Sequence, residues 1–129
     1  MAFGASPCDD SHVPTVLIVD DHRAFRASAR KLLELDGFEV VGEAEDGASG
    51  AALAKELEPE LVLLDVALPD TSGFDVADEL RSTRSTVVLV SSRDPADFGP
   101  KVAASGAAGF IPKEQLTTAA IRELLGEAA

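Results

Sequence analysis

Four apolar runs in this chain each lead into a residue that can do chemistry. Val16-Leu17-Ile18-Val19 ends in Asp20-Asp21, and Leu61-Val62-Leu63-Leu64 ends in Asp65. Thr86 to Val90 ends in Ser91-Ser92, and Gly109-Phe110-Ile111 is followed, after Pro112, by Lys113. If folding gathers these ends, three carboxylates share a crevice with a hydroxyl and an ammonium. Three like charges in one place repel, and each resists ionisation. A divalent cation resolves the conflict. Mg²⁺ suits such a site because it takes hard oxygen ligands, keeps several waters and combines one or two carboxylates with phosphate oxygens. A bare carboxylate can also attack phosphorus and give an aspartyl phosphate. The cation and the lysine would then offset charge on the phosphoryl oxygens. One acid after an apolar run is ordinarily a loop residue; the combination at four ends carries the argument.

The elements that must position these groups follow from periodicity. The β-branched runs read as strands buried on both faces, as in a parallel sheet. Between them lie helical faces: Phe25, Ala29, Leu32 and Leu33, stopped at Gly37, then Gly50, Leu53, Ala54 and Leu57, stopped near Pro59. A third face is Gly73, Val76, Ala77 and Leu80, and a last one is Leu116, Ala120 and Leu124, ending near Gly126. Phe38 to Ala44 supplies a further short strand, and Leu68 to Gly73 is a loop rich in turn formers. Five strand–helix units imply right-handed crossovers and an open α/β sandwich with helices on both faces, since five strands are too few for an eight-stranded barrel. In such sheets ligands bind beyond the carboxyl ends of the strands, where the strand order reverses. With order 2-1-3-4-5, strands 1 and 3 flank that point and bring Asp20, Asp21 and Asp65 together.

Composition narrows the functions available. The 129 residues suit one domain, and 46% hydrophobic content can fill a core. A net charge of −12 disfavours binding to a phosphate backbone, so no direct nucleic-acid contact is expected. A single cysteine excludes an intramolecular disulfide framework and a cysteine zinc cluster. No apolar run is long enough for a membrane span, and no signal peptide is evident, so a cytoplasmic setting and no membrane partner are expected. Residues 1–12 read as a flexible tail, with Cys8 and His12 as unrelated tail residues rather than a metal pair. Residues 13–126 form the domain and 127–129 its end.

The stretches "VLIVDDH", "LVLLDVALPDTSGFD", "VVLVSS" and "GAAGFIPK" resemble, in order and spacing, the receiver domain of two-component response regulators, a CheY-like, flavodoxin-like (βα)₅ fold. The likeness runs from Val13 to about Leu125, and the "DDH" start looks most like receivers of NarL/LuxR-type regulators. The resemblance implies that Asp65 accepts the phosphoryl group, that Asp21 binds Mg²⁺ directly and Asp20 through water, and that the backbone carbonyl of Ala67 is a further ligand. It implies that Ser91 and Lys113 contact the phosphoryl group and that Phe110 is the switch aromatic. A sensor histidine kinase, a downstream effector protein or output domain, and a homodimer formed on phosphorylation are the implied partners. Ile121 and Leu125 are candidates for the dimer surface, with packing against the sheet as the competing reading. The chain would be a phosphoacceptor switch rather than an enzyme turning over an external substrate. Because one receiver takes up nearly all the residues, output is expected through a separate protein or a module not on this chain.

Two departures from the family pattern matter. Pro112 precedes Lys113 and Glu114 follows it, so an argument from a cis proline after the lysine lapses. Gly99-Pro100 falls inside the expected fourth helix, which should therefore be split or begin near Pro100. Among other classes, a haloacid-dehalogenase-type phosphatase needs an acid where this chain has Ala67. A flavin carrier is disfavoured by the acidic first connection and by the lack of Trp and Tyr. A phosphate-independent receiver acting through protein contacts remains the alternative.

Overall fold

The computed structural model describes residues 13–126; the tail with Cys8 and His12 and the last three residues lie outside it. In chain order the elements are β1 (Thr15–Val19), α1 (Arg23–Leu35), β2 (Glu39–Ala44), α2 (Gly47–Leu57), β3 (Leu61–Asp65), α3 (Gly73–Glu79), β4 (Thr86–Ser91), α4 (Lys101–Ala104), β5 (Gly109–Pro112) and α5 (Thr118–Leu124). The five strands form one sheet in the order β2-β1-β3-β4-β5, with every neighbouring pair parallel. This is the doubly wound, flavodoxin-like topology that the alternating pattern predicts.

Strand alternation divides the core into two layers. Val16, Ile18, Leu61, Leu63, Val88 and Val90 face α1 and α5, meeting Ala29, Leu33 and Ile121. Leu17, Val19, Val62, Leu64, Val87 and Leu89 face the other way, onto Ala51 and Ala54 of α2 and Val76 and Ala77 of α3. Both faces of β1, β3 and β4 are thus covered, which is why their sequences are continuous apolar runs. Each buried aliphatic side chain is worth about 1.5–3 kcal/mol, so the central strands are the most strongly fixed elements.

Helix ends follow local chemistry. At the end of α1 the Phe38 amide bonds the Leu33 carbonyl and the Gly37 amide bonds the Glu34 carbonyl, with Gly37 at φ +91°. That is a Schellman stop, and it requires the left-handed residue glycine supplies. Asp46 caps α2 through the Ser49 amide at 2.8 Å, and Thr117 caps α5 through the Ala120 amide at 3.1 Å. The Thr117 cap corrects the expected last helix: Leu116 lies outside it, at the end of a 3₁₀ turn over Lys113–Gln115. Ile121 is fully buried against the sheet, so packing, not a dimer surface, is its role.

The region around Gly99-Pro100 is interrupted as expected. Asp94 caps a 3₁₀ turn over Pro95–Phe98 through the Ala96 amide, Gly99 turns at φ +60°, and α4 begins only after Pro100. The proline seats at the start of the helix because its φ of −74° fits there and it has no amide to lose. Arg81 fastens the far end of α4 by donating to the Ala104 carbonyl.

Gly73 opens α3 directly over the end of β3. A Cβ there would run into the carbonyl oxygen of Asp65 and crowd the Val66 backbone. Gly73→Ala should therefore lower stability by about 1–3 kcal/mol, the usual cost of overpacking against backbone that cannot rotate away. Urea denaturation compared with wild type checks this; an unchanged midpoint would show that β3 and α3 are not so closely seated.

Candidate functional site

The site is built at the carboxyl ends of β1, β3, β4 and β5. Because β1 and β3 pair in register from Val16–Leu61 to Val19–Leu64, the residues that follow them emerge side by side. Asp20 and Asp65 are 0% and 2% exposed, whereas Asp21 opens to solvent. One oxygen atom from each of Asp20, Asp21 and Asp65 and one nitrogen of His22 lie within 4.8 Å of one another. Lys113, at the end of β5, places Nζ 2.7 Å from Asp20 Oδ2 and 3.6 Å from Asp65 Oδ2. Its ammonium also rests over the ring of Phe25, 4.5 Å from the centroid. A cation over an aromatic face gains about 0.5–2 kcal/mol, which helps to hold the lysine arm at the pocket.

Backbone and arginine contacts fix Asp20. Its amide bonds the Ala44 carbonyl at 2.9 Å, and Arg26 donates to its carbonyl while also pairing with Glu43. Its Oδ1 accepts the His22 amide at 2.7 Å. The Asp65 carboxylate accepts only a long contact from the Ala67 amide, at 3.4 Å.

The electrostatics are strained by design of the fold. Asp65 is pushed up to about 6 from its ordinary 3.8, first by burial and next by the neighbouring Asp20 carboxylate; Lys113 pulls the other way without cancelling them. Asp20 Oδ2 and Asp65 Oδ2 are buried and accept no well-directed hydrogen bond, even though the Lys113 ammonium is near both. Buried, unsatisfied carboxylate oxygens converging with an exposed carboxylate form a hard-oxygen donor set, which fits a Mg²⁺ ion.

The remaining sequence-predicted residues sit around this centre. Ser91 is buried at the end of β4, and its Oγ accepts the Arg93 amide at 3.0 Å. Ser92 is exposed. Ala67 is exposed, two residues beyond Asp65, and forms an isolated bridge with Ser72. Phe110 lies against Phe98, with ring centroids 5.7 Å apart and tilted by 44°, and Phe98 meets Phe74 edge-on at 5.3 Å.

Several contributors had no sequence signal. Phe25 was read only as a core-facing helix position. Phe98 lies in the interrupted segment, where no periodicity applies. Asp70, read as a turn former, caps α2 from a distance of 23 residues by accepting the Gly47 and Ala48 amides at 2.8 and 3.0 Å, which holds its carboxyl below the usual range. His22 occupies the N-cap of α1, and its ring nitrogen Nδ1 also pairs with Asp20 and Asp21.

The fold and site define a flavodoxin-like domain with an acidic pocket at the switch point of its sheet. Residues 16–125 match the family described as "Response regulator receiver domain", and the chain belongs to that family, the receivers of two-component systems. It is 44% identical over 102 residues to a Pseudomonas aeruginosa protein described as a transcriptional regulator, and 39% identical over 102 residues to BvgA of Bordetella pertussis. Each alignment covers 78% of this chain and 49% of the relative, so the chain spans about half the length of the curated relatives it matches. The solved signal receiver domain of NarL from Mycobacterium tuberculosis superposes with a TM-score of 0.83 at 33% identity, covering 90% of this chain and 98% of that one. Among the described residues, no helix is long and apolar enough to cross a membrane.

The raised Asp65 carboxyl makes a stability prediction. A carboxyl whose folded value exceeds its unfolded value favours folding while neutral, so its penalty is absent in acid and grows as pH rises through about 6. The shift corresponds to on the order of 1–3 kcal/mol once the charge is fully developed. Asp65→Asn should thus be more stable than wild type by that amount at pH 7.5 without divalent cations, with the gain fading below pH 5. Chemical denaturation in chelator at both pH values checks it; a less stable variant at pH 7.5 would contradict the electrostatic reading.

Proposed function

We propose that this domain is a phosphorylation-controlled switch in which Asp65 accepts a phosphoryl group from a sensor histidine kinase in the cytoplasm. The observation that carries the reading is the buried Asp20–Asp65 pair, facing one lysine at the switch point of the sheet. The incoming phosphoryl group is itself anionic, and a carboxylate among other acids repels it unless cations offset the charge. Asp20, Asp21, Asp65 and the backbone carbonyl of Ala67 are the groups that would hold Mg²⁺. When bound, the ion neutralises the carboxylates and the incoming phosphoryl oxygens.

In the transfer, an Asp65 oxygen attacks phosphorus as the P–N bond of the kinase phosphohistidine breaks. The released imidazole takes its proton from solvent. Lys113 follows the charge, from the carboxylates onto the phosphoryl oxygens, by a short movement of its terminal ammonium. Ser91 supplies the hydroxyl for another phosphoryl oxygen. Turning toward that oxygen draws Oγ away from the Arg93 amide it accepts, and Arg93 lies over Phe98 at 5.7 Å. Phe98 in turn contacts Phe110, so a change at Ser91 reaches the α4–β5 surface through packed rings. That surface would be read by a downstream effector or output domain, and a phosphorylated homodimer is one form the readout could take. The curated relatives named above are transcription regulators, and the match covers 49% of their length. The acidic charge therefore argues against nucleic-acid contact by these residues only. The proposed activity is that of a phosphoacceptor switch with slow self-dephosphorylation rather than an enzyme turning over an external substrate.

Incubation with a small acyl phosphate and Mg²⁺ should add one phosphoryl group to the intact mass. The adduct should vanish with Asp65→Ala or with chelator. Absence of any adduct, from small donors and from a cognate kinase alike, would overturn the reading in favour of a contact-only module. Hydrogen exchange on the phosphorylated form should rise at the Arg93 amide and through residues 95–104; unchanged exchange there would exclude the Ser91–Phe98 route.

A further inference from the structure

We propose that His22 lends its imidazole Nδ1 to the cation held by Asp20, Asp21 and Asp65, so that the pocket also takes borderline transition-metal divalent ions, of the Co²⁺ or Zn²⁺ class, through a nitrogen donor that Mg²⁺ does not use. This rests on the reading of the pocket as a divalent-cation site and adds its selectivity.

Three observations carry the assignment. First, His22 Nδ1 is 3.1 Å from Asp20 Oδ1 and 3.2 Å from Asp21 Oδ1. Adjacent donors around an ion with bonds of about 2.1 Å are separated by about 3.0 Å, so the spacing that lets Nδ1 hydrogen-bond Asp20 Oδ1 here also suits neighbouring ligands of one ion. Second, among the described contacts the ring's polar partners are Asp20 and Asp21, both through Nδ1. His22 occupies the N-cap of α1, yet its side chain caps no helix amide. The ring is 64% exposed, so an ion can reach it from solvent, while the His22 amide, bonded at 2.7 Å to Asp20, fixes the residue at the pocket rim. Third, one donor atom from each of Asp20, Asp21, His22 and Asp65 lies within 4.8 Å of the others, and Asp65 Oδ2 is buried without a hydrogen-bond partner, with the Lys113 ammonium 3.6 Å away.

The donor chemistry then sets the preference. Imidazole suits zinc, cobalt and nickel, whereas Mg²⁺ keeps to oxygen ligands and water. Removing His22 should therefore weaken one class of ion and spare the other. The competing arrangement is a protonated His22 paired with Asp20 and Asp21. That ring would repel every cation, and its removal would strengthen binding of both classes alike.

Isothermal titration of the full chain with Mg²⁺ and, separately, Co²⁺ distinguishes these for wild type, His22→Ala and His22→Asn. The asparagine variant keeps a favoured N-cap residue, so α1 is preserved. Co²⁺ affinity should fall about tenfold or more in both variants, the lower end of what disturbing a metal ligand's surroundings costs, with Mg²⁺ affinity changed by less than about twofold. The visible spectrum of the Co²⁺ form should change with the lost nitrogen. An unchanged Co²⁺-to-Mg²⁺ affinity ratio, or a gain for both ions, overturns the role of His22 alone. Wild type that binds neither ion overturns both this role and the cation-site reading beneath it.

Discussion

The structure turns on two carboxylates, Asp20 and Asp65, buried side by side with one ammonium for company. Burial and mutual repulsion both oppose their ionisation, and Lys113 offsets only part of that. A fold organised for stability alone would not place them so. The apolar strands make the placement unavoidable: β1 and β3 are fixed as neighbours by residues buried on both faces, so whatever follows Val19 and Leu64 must meet. Strand burial stabilises the sheet, and part of that stability is given up at its carboxyl edge to keep a charged, cation-demanding pocket.

The same constraint organises the surroundings. Gly73 lets α3 close over the Asp65 carbonyl, and Asp70 in the same loop caps α2, so the loop after β3 is tied down on both sides. Phe25 holds the lysine arm, and Arg26 holds the Asp20 backbone. On the other side, the short α4 leaves the 95–100 segment with a single 3₁₀ turn rather than a continuous α-helix. Its place is kept by Phe98 between Phe74 and Phe110 instead. Ring packing of this kind gives way more readily than a helix, which suits the proposed response to Ser91.

Much of this was legible in the sequence, for physical reasons. Strands buried on both faces announce themselves as continuous aliphatic runs, and Gly37, Pro59 and Pro100 mark helix limits through backbone geometry alone. The carboxylates at strand ends were readable because strand order converts sequence position into spatial position. What escaped depends on contacts between distant elements. Leu116 fits the helical spacing of α5, but Thr117 is the better cap and excludes it. Ile121 looked like a possible surface residue because spacing does not say which face of α5 meets the sheet. Asp70, Phe25 and Phe98 act across loops, and nothing in their local spacing distinguishes them from turn or core residues. The ring of His22 lies between two acids only because the backbone at Asp20 turns where it does.

The central requirement is that Asp65, among the clustered acids, is the group that forms a covalent bond to phosphorus, and only when a divalent cation offsets its neighbours. Borohydride reduction of the chain after treatment with an acyl phosphate and Mg²⁺ converts any aspartyl phosphate to homoserine, which peptide mapping can locate. Homoserine at position 65 alone, and only with Mg²⁺ present, is the predicted result. Homoserine at position 20 or 21, or equal labelling without the cation, would contradict it.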